Sequence, residues 1–328
     1  MTRVVFHIGL HKTATTSLQV DTFPTLSGIN YLGPGHPAVA HYVNTVIARD
    51  PIHHGAFPIK TQPTGVATAA GAADDAPPVD QQAVTALREA LQTGETNLVS
   101  SEALSGPAWV GVTQRGIDHR TPVLLNLLQD FPDAELLLII RRQDDYAKSM
   151  YRQYVKSGGT RPLAQFLGAN GHTPLFAPDR YRYAALVDAL QRSFARVRVI
   201  PFELLRENEG QFLGTVSDFL GAPPPDKPMS RRNSTRMGSA GLNLCRVLNR
   251  LFTSPLNPAG VLPGIPIRRG GGWRTLSPVA LLQDHWPSTR AKTSAAHQAL
   301  FATVLAEANS DNRRLEALID QDLARYGY

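Results

Sequence analysis

Cysteine is almost absent from this sequence, which has only Cys245 among its 328 residues. A single thiol cannot close an internal disulfide, so the chain suits a reducing compartment. Long apolar runs are missing too, because no stretch approaches the roughly 18 residues that a membrane-spanning helix needs. The apolar run near the N-terminus is too short for a signal peptide. We therefore expect a cytoplasmic protein with no membrane span.

Charge is also sparse, since charged residues make up 18% of the chain and the net charge is +6. Neither a nucleic-acid recognition motif nor a stripe of stacking aromatic residues accompanies this modest excess, so nucleic acid is not an expected partner. Among the histidines, His7 and the pair His53-His54 lack a third ligand at metal-binding spacing. The sequence therefore predicts no metal site.

Apolar runs alternate with helical patterns along the chain. The runs typical of strands are Arg3–Gly9, Asn97–Ser100, Glu135–Ile140 and Val197–Phe202. The helical patterns are Thr16–Thr22, Gln81–Leu91, Asp144–Lys156, Arg180–Phe194 and Gln211–Phe219. This alternation predicts an α/β fold of three layers, with a central, mainly parallel sheet flanked by helices. We expect one domain over residues 1–328, with loop insertions near residues 60–80 and 251–290 that shape substrate recognition.

A hydroxyl-rich turn follows the first predicted strand, in the segment GLHKTATTS from Gly9 to Ser17. Backbone N–H groups at a helix start carry partial positive charge, and the hydroxyls of this segment add donors beside them. The pattern predicts a phosphate or sulfate site. It is not a Walker A loop, because G-x-x-x-x-G-K-[ST] requires lysine where Thr15 stands, and the lysine here is Lys12.

A second anion-binding pattern comes later. The continuous apolar run Glu135–Ile140 is typical of a buried parallel strand, and it is followed at once by Arg141 and an amphipathic helix. Carboxyl ends of parallel strands share one edge of a sheet, so Lys12, Glu102 and Arg141 are expected at the same edge.

At these residues the chain resembles the sulfotransferases that use 3′-phosphoadenosine-5′-phosphosulfate (PAPS). Their first signature is lysine, a small residue, glycine and two threonines, and here it reads Lys12-Thr13-Ala14-Thr15-Thr16. Ala14 departs from the family's glycine, and its Cβ is unfavourable if the turn needs a positive φ, which puts donor affinity in question. The second signature, an arginine at a strand end and a serine eight residues later, is matched by Arg141 and Ser149.

The resemblance implies a P-loop-type fold and metal-independent transfer of a sulfuryl group from PAPS to a hydroxyl, with adenosine 3′,5′-bisphosphate as product. It implies a small-molecule or glycan acceptor, as in bacterial, carbohydrate-modifying members. A basic loop late in the family's chains covers the 3′-phosphate. The donor-binding residues it implies are His11, Lys12, Thr13, Ala14, Thr15, Thr16, Ser17, Arg141, Ser149, Arg231 and Arg232.

Three residues are the candidates for catalysis. Lys12, the family's matched lysine, suits stabilisation of the charge that develops on the departing oxygen. Glu102 follows a predicted strand and is the first choice for the base that accepts the acceptor's proton, and His41 is the second choice. His11, beside Lys12, suits an orienting contact more than proton transfer.

Two other interpretations stay open at this point. A P-loop kinase needs a Walker lysine and a magnesium carboxylate, and position 15 lacks that lysine. A non-catalytic module for binding an anion or a partner is favoured by the alanine at position 14.

Overall fold

The computed structural model describes residues 2–48, 80–105, 124–230, 237–254, 256–263, 265–269, 272–276 and 292–328. The chain divides into two compact units. The first comprises Met1–Arg142, Arg182–Ser230 and Ser310–Tyr328, and the second comprises Gln143–Tyr181 and Arg231–Asn309. The single domain expected over residues 1–328 stays a prediction.

The first unit is built on a five-stranded sheet in which every neighbouring pair is parallel. Its strands are β1 (Arg3–Gly9), β2 (Ile29–Leu32), β3 (Thr96–Ser100), β4 (Glu135–Ile140) and β5 (Arg196–Pro201), in the order β2-β3-β1-β4-β5. The predicted α/β fold class is confirmed, and the four predicted strands lie within one residue of the observed bounds. The edge strand β2 was not predicted, because its four residues include a polar Asn30 and form no long apolar run.

Eleven α-helices are described. They are α1 (Thr15–Ser17), α2 (Pro37–Ala48), α3 (Gln81–Glu89), α4 (Leu127–Asp130), α5 (Gln143–Lys156), α6 (Leu163–Leu167), α7 (Ala184–Ser193), α8 (Phe202–Glu207), α9 (Glu209–Leu220), α10 (Ser239–Asn249) and α11 (Ala295–Ile319). Helix α1 continues as a π-helical turn over Leu18–Thr22 and a 3-10 turn over Phe23–Thr25. Short 3-10 helices cover Glu102–Ser105, Ala169–Gly171, Pro178–Arg180 and Ala324–Tyr326.

Both faces of the sheet are covered. Neighbouring residues of a strand point to opposite faces, so each face has its own set of contacts. On one face Phe6 packs with Tyr42 of α2 and with Phe131, at ring-centroid distances of 6.3 and 5.6 Å. On the other face Val5 belongs to an apolar cluster with Leu18, Phe212 and other buried side chains of the helices after β1 and β5. This arrangement is the one that the alternation of strands and helices predicts.

Arg3 ties the amino end of the sheet together. Its guanidinium binds both carboxylate oxygens of Glu135 at 2.8 Å, which joins the first residues of β1 and β4. It also donates to the carbonyls of Phe219 and Leu220 at 2.6 and 2.8 Å, and so satisfies the end of α9. Hydrogen bonds to an ionised group are stronger than neutral ones, so this residue fixes three elements at once.

The start of α7 shows why one predicted helix was too long at its amino end. The helix was predicted from Arg180 and begins at Ala184. The carboxylate of Asp311 accepts from the backbone N–H groups of Tyr183 and Ala184 at 2.6 and 3.1 Å. A side chain distant in sequence therefore caps this helix, and a local pattern could not indicate it.

The second unit is held by aromatic side chains. Tyr151, Tyr154 and Phe166 pack around the end of α5, with ring centroids 5.1 to 6.3 Å apart. Asn249, at the end of α10, donates to the carbonyls of Val155 and Gly159 at 2.7 and 2.9 Å. These bonds give a donor to the carbonyl of Val155, in the last turn of α5, and to that of Gly159, which follows the helix.

The predicted loop insertions are described only in part. Residues 60–79 lie outside the described residues. Within the range 251–290, the strands β6 (Ile265–Arg269) and β7 (Gly272–Leu276) form an antiparallel pair.

His7 is a fully buried histidine in the middle of β1. Its Nδ1 lies 2.8 Å from the hydroxyl of Ser100, and Gln19 donates to the same hydroxyl at 2.9 Å. Burial lowers the pKa of His7 from 6.5 to about 3, because the ring cannot be solvated when it is charged. The imidazole is therefore a neutral part of the core.

This burial predicts a loss of stability in acid. Between pH 6.5 and about 3 the unfolded chain binds a proton at His7 that the folded chain does not bind. We expect the free energy of unfolding to fall by up to about 1.4 kcal/mol per pH unit from this residue as the pH decreases through that range. Urea denaturation at a series of pH values should show a shallower dependence in His7→Asn. An unchanged slope in the variant would contradict the buried, neutral imidazole.

Candidate functional site

The turn between β1 and α1 has alternating backbone conformation. Lys12 and Ala14 have positive φ angles of 69° and 63°, whereas Thr13 and Thr15 do not have positive φ. Alternation of this kind turns successive N–H groups toward one side and makes a concave anion-binding nest. The first helical hydrogen bond runs from Leu18 N–H to the Ala14 carbonyl at 3.0 Å, so the N–H groups before it have no acceptor within the helix. The turn is shaped to bind an anion.

Gly9 is needed where the turn begins. A Cβ added there would lie 1.8 Å from Oγ1 of Thr15, so the buried threonine occupies the space that any other residue would fill. Thr13 fixes the same turn, because its hydroxyl donates to the Leu10 carbonyl at 2.6 Å and its N–H to that carbonyl at 3.2 Å. The buried threonines thus shape the turn, while the side chain of Thr16 is exposed.

Ser17 links the turn to a later part of the chain. Its hydroxyl donates to the carbonyl of Ser230 at 3.3 Å. The N–H and hydroxyl of Ser230 both donate to one carboxylate oxygen of Asp21, at 3.2 and 2.6 Å. The predicted donor-binding residues Arg231 and Arg232 come next in the chain and lie outside the described residues.

Arg141 stands at the end of β4 and is 9% exposed. Its Nη1 donates to the Lys12 carbonyl at 2.7 Å, and its guanidinium carbon lies 4.8 Å from the centre of the Phe202 ring. The hydroxyl of Tyr183 donates to the Arg141 carbonyl at 2.8 Å. The structure thus brings the two predicted residues Lys12 and Arg141 together and fixes a cation against the turn.

Phe202 and Tyr183 were not predicted as part of the site. Phe202 is the first residue after β5, and β5 lies next to β4 in the sheet. An aromatic residue at the end of a strand was therefore the sequence signal that could have indicated this contact. A cation gains energy over the face of an aromatic ring, and here the ring also limits where the guanidinium can move. Tyr183 precedes a helix, and no sequence pattern marks its contact.

Glu203 supports the chain directly after Arg141. Its carboxylate accepts from the backbone N–H of Arg142 at 3.0 Å and from the hydroxyl of Tyr328 at 2.8 Å. Burial raises the pKa of this carboxyl, and the donated hydrogen bonds act in the opposite direction. The geometry at the end of β4 is therefore set by a buried acid from α8.

His11 and Glu102 meet across the ends of β1 and β3. The Nδ1 of His11 lies 3.1 Å from Oε1 of Glu102, and the two side chains are 20% and 36% exposed. The N–H of Ser101 donates to the His7 carbonyl at 3.3 Å, which continues the ladder to the residue before Glu102. A carboxylate and an imidazole thus meet at this edge of the sheet, in reach of solvent.

His41 and Ser149 occupy other surroundings. His41 lies in α2, and its Nε2 is 2.6 Å from a carboxylate oxygen of Asp80, the residue that caps α3. Its imidazole is thus engaged at a helix cap, whereas Glu102 is paired with His11. Ser149 lies in α5, in the second unit, with a partly buried side chain.

Comparisons with known proteins support the fold. No protein-family model matches this chain. No curated protein matches it either. Among solved structures, it is similar to the crystal structure of a sulfotransferase from Alicyclobacillus acidocaldarius, with 16% sequence identity, a TM-score of 0.51 and coverage of 100% of both chains. At this identity the likeness shows the fold, which is an α/β sulfotransferase-like P-loop fold.

Two features that bear on ligands and membranes are not found in the described residues. No group of three or more His, Cys, Asp or Glu side chains in them is arranged to hold a metal ion. No helix in the same part of the chain has the length and apolar character to cross a bilayer. The cytoplasmic location stays a prediction.

The positive φ of Ala14 predicts that glycine is better at this position. An L-residue in the left-handed region costs about 1–2 kcal/mol, which glycine avoids. Glycine is also freer in the unfolded chain, and this effect lowers the stability by about 0.4–1 kcal/mol. We expect Ala14→Gly to raise the free energy of unfolding by about 0.5–1 kcal/mol in urea denaturation.

Ala302 is the matched control, because it is exposed inside α11. Ala302→Gly should lower the free energy of unfolding by about 1 kcal/mol. If both substitutions destabilise the protein equally, Ala14 is not strained.

Proposed function

We propose that this protein is a sulfotransferase that moves a sulfuryl group from PAPS to a hydroxyl of a carbohydrate or glycolipid-like acceptor. The single observation that carries the proposal is the alternating turn at Lys12–Ala14, held against the end of β4 by Arg141. It combines a nest of N–H groups, a lysine and a nearly buried arginine within one compact unit.

The residues of the turn fit a phosphate-bearing donor. The N–H groups at the start of α1 and the exposed hydroxyl of Thr16 would bind the 5′-phosphate end. Arg141 would bind the 3′-phosphate. Ser149, Arg231 and Arg232 stay the other proposed donor-binding residues of the second unit. The donor supplies the sulfuryl group, and a planar guanidinium suits phosphate oxygens.

Lys12 would stabilise the leaving group. As the bond between sulfur and the bridging oxygen breaks, negative charge grows on that oxygen, and an ammonium group offsets it. Because Lys12 has a left-handed backbone and its carbonyl is bound by Arg141, the residue is fixed at its main chain. This arrangement needs no metal ion in the transfer step.

Glu102 would accept the proton of the acceptor hydroxyl as its oxygen forms the new bond to sulfur. A base must lie within hydrogen-bond reach of the proton, and Glu102 is partly exposed at the edge of the sheet where the turn lies. His11 would position it, because the 3.1 Å contact between its Nδ1 and the carboxylate restricts the carboxylate. His41 stays the second candidate for the base.

The kinase alternative is weakened by position 15. A Walker lysine would need to extend from that position toward phosphates, but the side chain of Thr15 is 2% exposed and packs on Gly9. The non-catalytic module keeps one supporting observation, the strained backbone of Ala14. If donor binding required further distortion of this strained turn, the donor would bind less tightly.

Transfer of labelled sulfate from PAPS to a panel of glycans, glycolipids and simple alcohols tests the proposal. We expect the wild-type protein to label at least one hydroxyl-bearing acceptor in the presence of EDTA. Lys12→Ala should lower the rate by about 100- to 1000-fold. Lys227→Ala removes an exposed lysine elsewhere and should leave the rate unchanged. Bisphosphate binding without transfer to any acceptor would favour the non-catalytic module.

The roles of Glu102 and His11 are separated by a second set of variants. Glu102→Gln keeps the shape but not the charge, so kcat should fall by about 100-fold or more while adenosine 3′,5′-bisphosphate binds as before. His11→Asn should have a smaller effect, because it removes only the positioning contact. Glu95→Gln, an exposed change before β3, is the control. If Glu102→Gln retains full kcat, the base is another residue.

A further inference from the structure

The second compact unit contains a small cavity with a basic lining. Lys148 and Arg152 contribute to it from α5 and Ser239 from α10. Thr293 contributes from the segment before α11, and His297 from the first turn of that helix. Its other lining residues are apolar, and none of the described residues that line it is acidic. None of these residues belongs to the set proposed to bind the donor, so the cavity has no role in the function proposed above.

Arg152, one of the lining residues, has an unsatisfied donor. Its Nε is buried and has no hydrogen-bond partner among the described residues. Burial lowers the pKa of the guanidinium, and the charge of Asp145 acts in the opposite direction without cancelling that effect. A buried cationic donor without an acceptor is costly, and proteins usually supply it with a counter-charge.

The side chains of Ser239 and His297 lie together at the cavity. The Ser239 hydroxyl accepts from the N–H of Ser294 at 3.0 Å and lies 2.9 Å from Nδ1 of His297. Burial lowers the pKa of His297, and the charge of Arg246 lowers it further. The positive charge of Arg246 thus acts on this imidazole, and an anion in the cavity would offset the effect of that charge.

The size of the cavity limits what enters it. Its volume is about 10 Å³, which is room for one water-sized atom. A nucleotide base or a sugar ring cannot enter, whereas a single oxygen of a tetrahedral oxyanion can. The remaining oxygens would stay at the mouth, near the flexible ammonium of Lys148.

We propose that Lys148, Arg152 and Thr293 form an anion site that takes one oxygen of a sulfate or phosphate group, beside the Ser239–His297 pair. The Arg152 guanidinium would donate to that oxygen, and the Lys148 ammonium would neutralise the group. The proposal does not depend on sulfotransferase activity, because it rests only on residues of the second unit.

The test uses inorganic sulfate and inorganic phosphate as separate probes, at constant ionic strength maintained with sodium chloride. The NMR signals of the His297 imidazole are followed in the full-length protein. We expect a saturable shift with sulfate, with phosphate or with both, and a rise in Tm of about 3 °C at saturation. Lys148→Met and Arg152→Gln should each weaken binding roughly tenfold or more. Lys156→Met, a change on the same helix outside the cavity, should bind as the wild type does.

Three outcomes would overturn the inference: no saturable shift of His297 with either probe, an equal shift with chloride alone, or undiminished binding in both cavity variants. Where circular dichroism shows that Arg152→Gln or Lys148→Met is unfolded, Arg152→Lys and Lys148→Arg replace them. Arg152→Lys should still weaken binding because it loses the guanidinium and its N–H donors. Titration of adenosine 3′,5′-bisphosphate into Lys148→Met separates this site from the donor site. Failure of the sulfate test with intact bisphosphate binding removes this inference alone.

Discussion

The hydrogen bond from Arg141 to the Lys12 carbonyl is the contact on which the candidate site depends. Two residues of the turn, Lys12 and Ala14, stand in the left-handed region, which costs about 1–2 kcal/mol for each. A hydrogen bond from a charged donor contributes about 1.5–3 kcal/mol, so this contact at 2.7 Å offsets much of that cost. It holds in one place the backbone that presents N–H groups to an anion.

The order of the strands explains why the remaining residues meet there. Strand β1 lies between β3 and β4, so the residues that follow these three strands share one edge of the sheet. His11 follows β1, Glu102 follows β3, and Arg141 follows β4. Ligands of open parallel sheets bind at this edge. The site therefore results from topology first and from side-chain chemistry second.

Much of the fold could be predicted from the sequence, because buried parallel strands are continuous apolar runs. Glu135–Ile140 was predicted with its observed bounds. Helix α11 was not predicted, although its buried residues Phe301, Val304, Ala308 and Leu315 recur at helical spacing. That stripe is narrow and lies among polar residues, so the pattern is weak. The amino end of α7 depends on Asp311, which is more than a hundred residues away.

The site was predictable in its residue types and less so in its contacts. The sequence indicates a lysine, hydroxyls and an arginine at the strand ends, and the structure brings Lys12 and Arg141 together. The direction of the Lys12 carbonyl, the ring of Phe202 under Arg141 and the pairing of His11 with Glu102 arise from backbone conformation and tertiary packing. A linear sequence pattern contains none of these. It indicated only that Ala14 would be unfavourable if the turn required a positive φ.

The most direct test of the central claim compares two nucleotides in EDTA by calorimetric titration. Adenosine 3′,5′-bisphosphate and adenosine 5′-phosphate differ only by the group assigned to Arg141. If the turn and Arg141 bind the same ligand, the bisphosphate binds at least about tenfold more tightly than adenosine 5′-phosphate. Arg141→Met then removes most of that difference. Equal affinities of the wild-type protein for the two nucleotides would contradict the account.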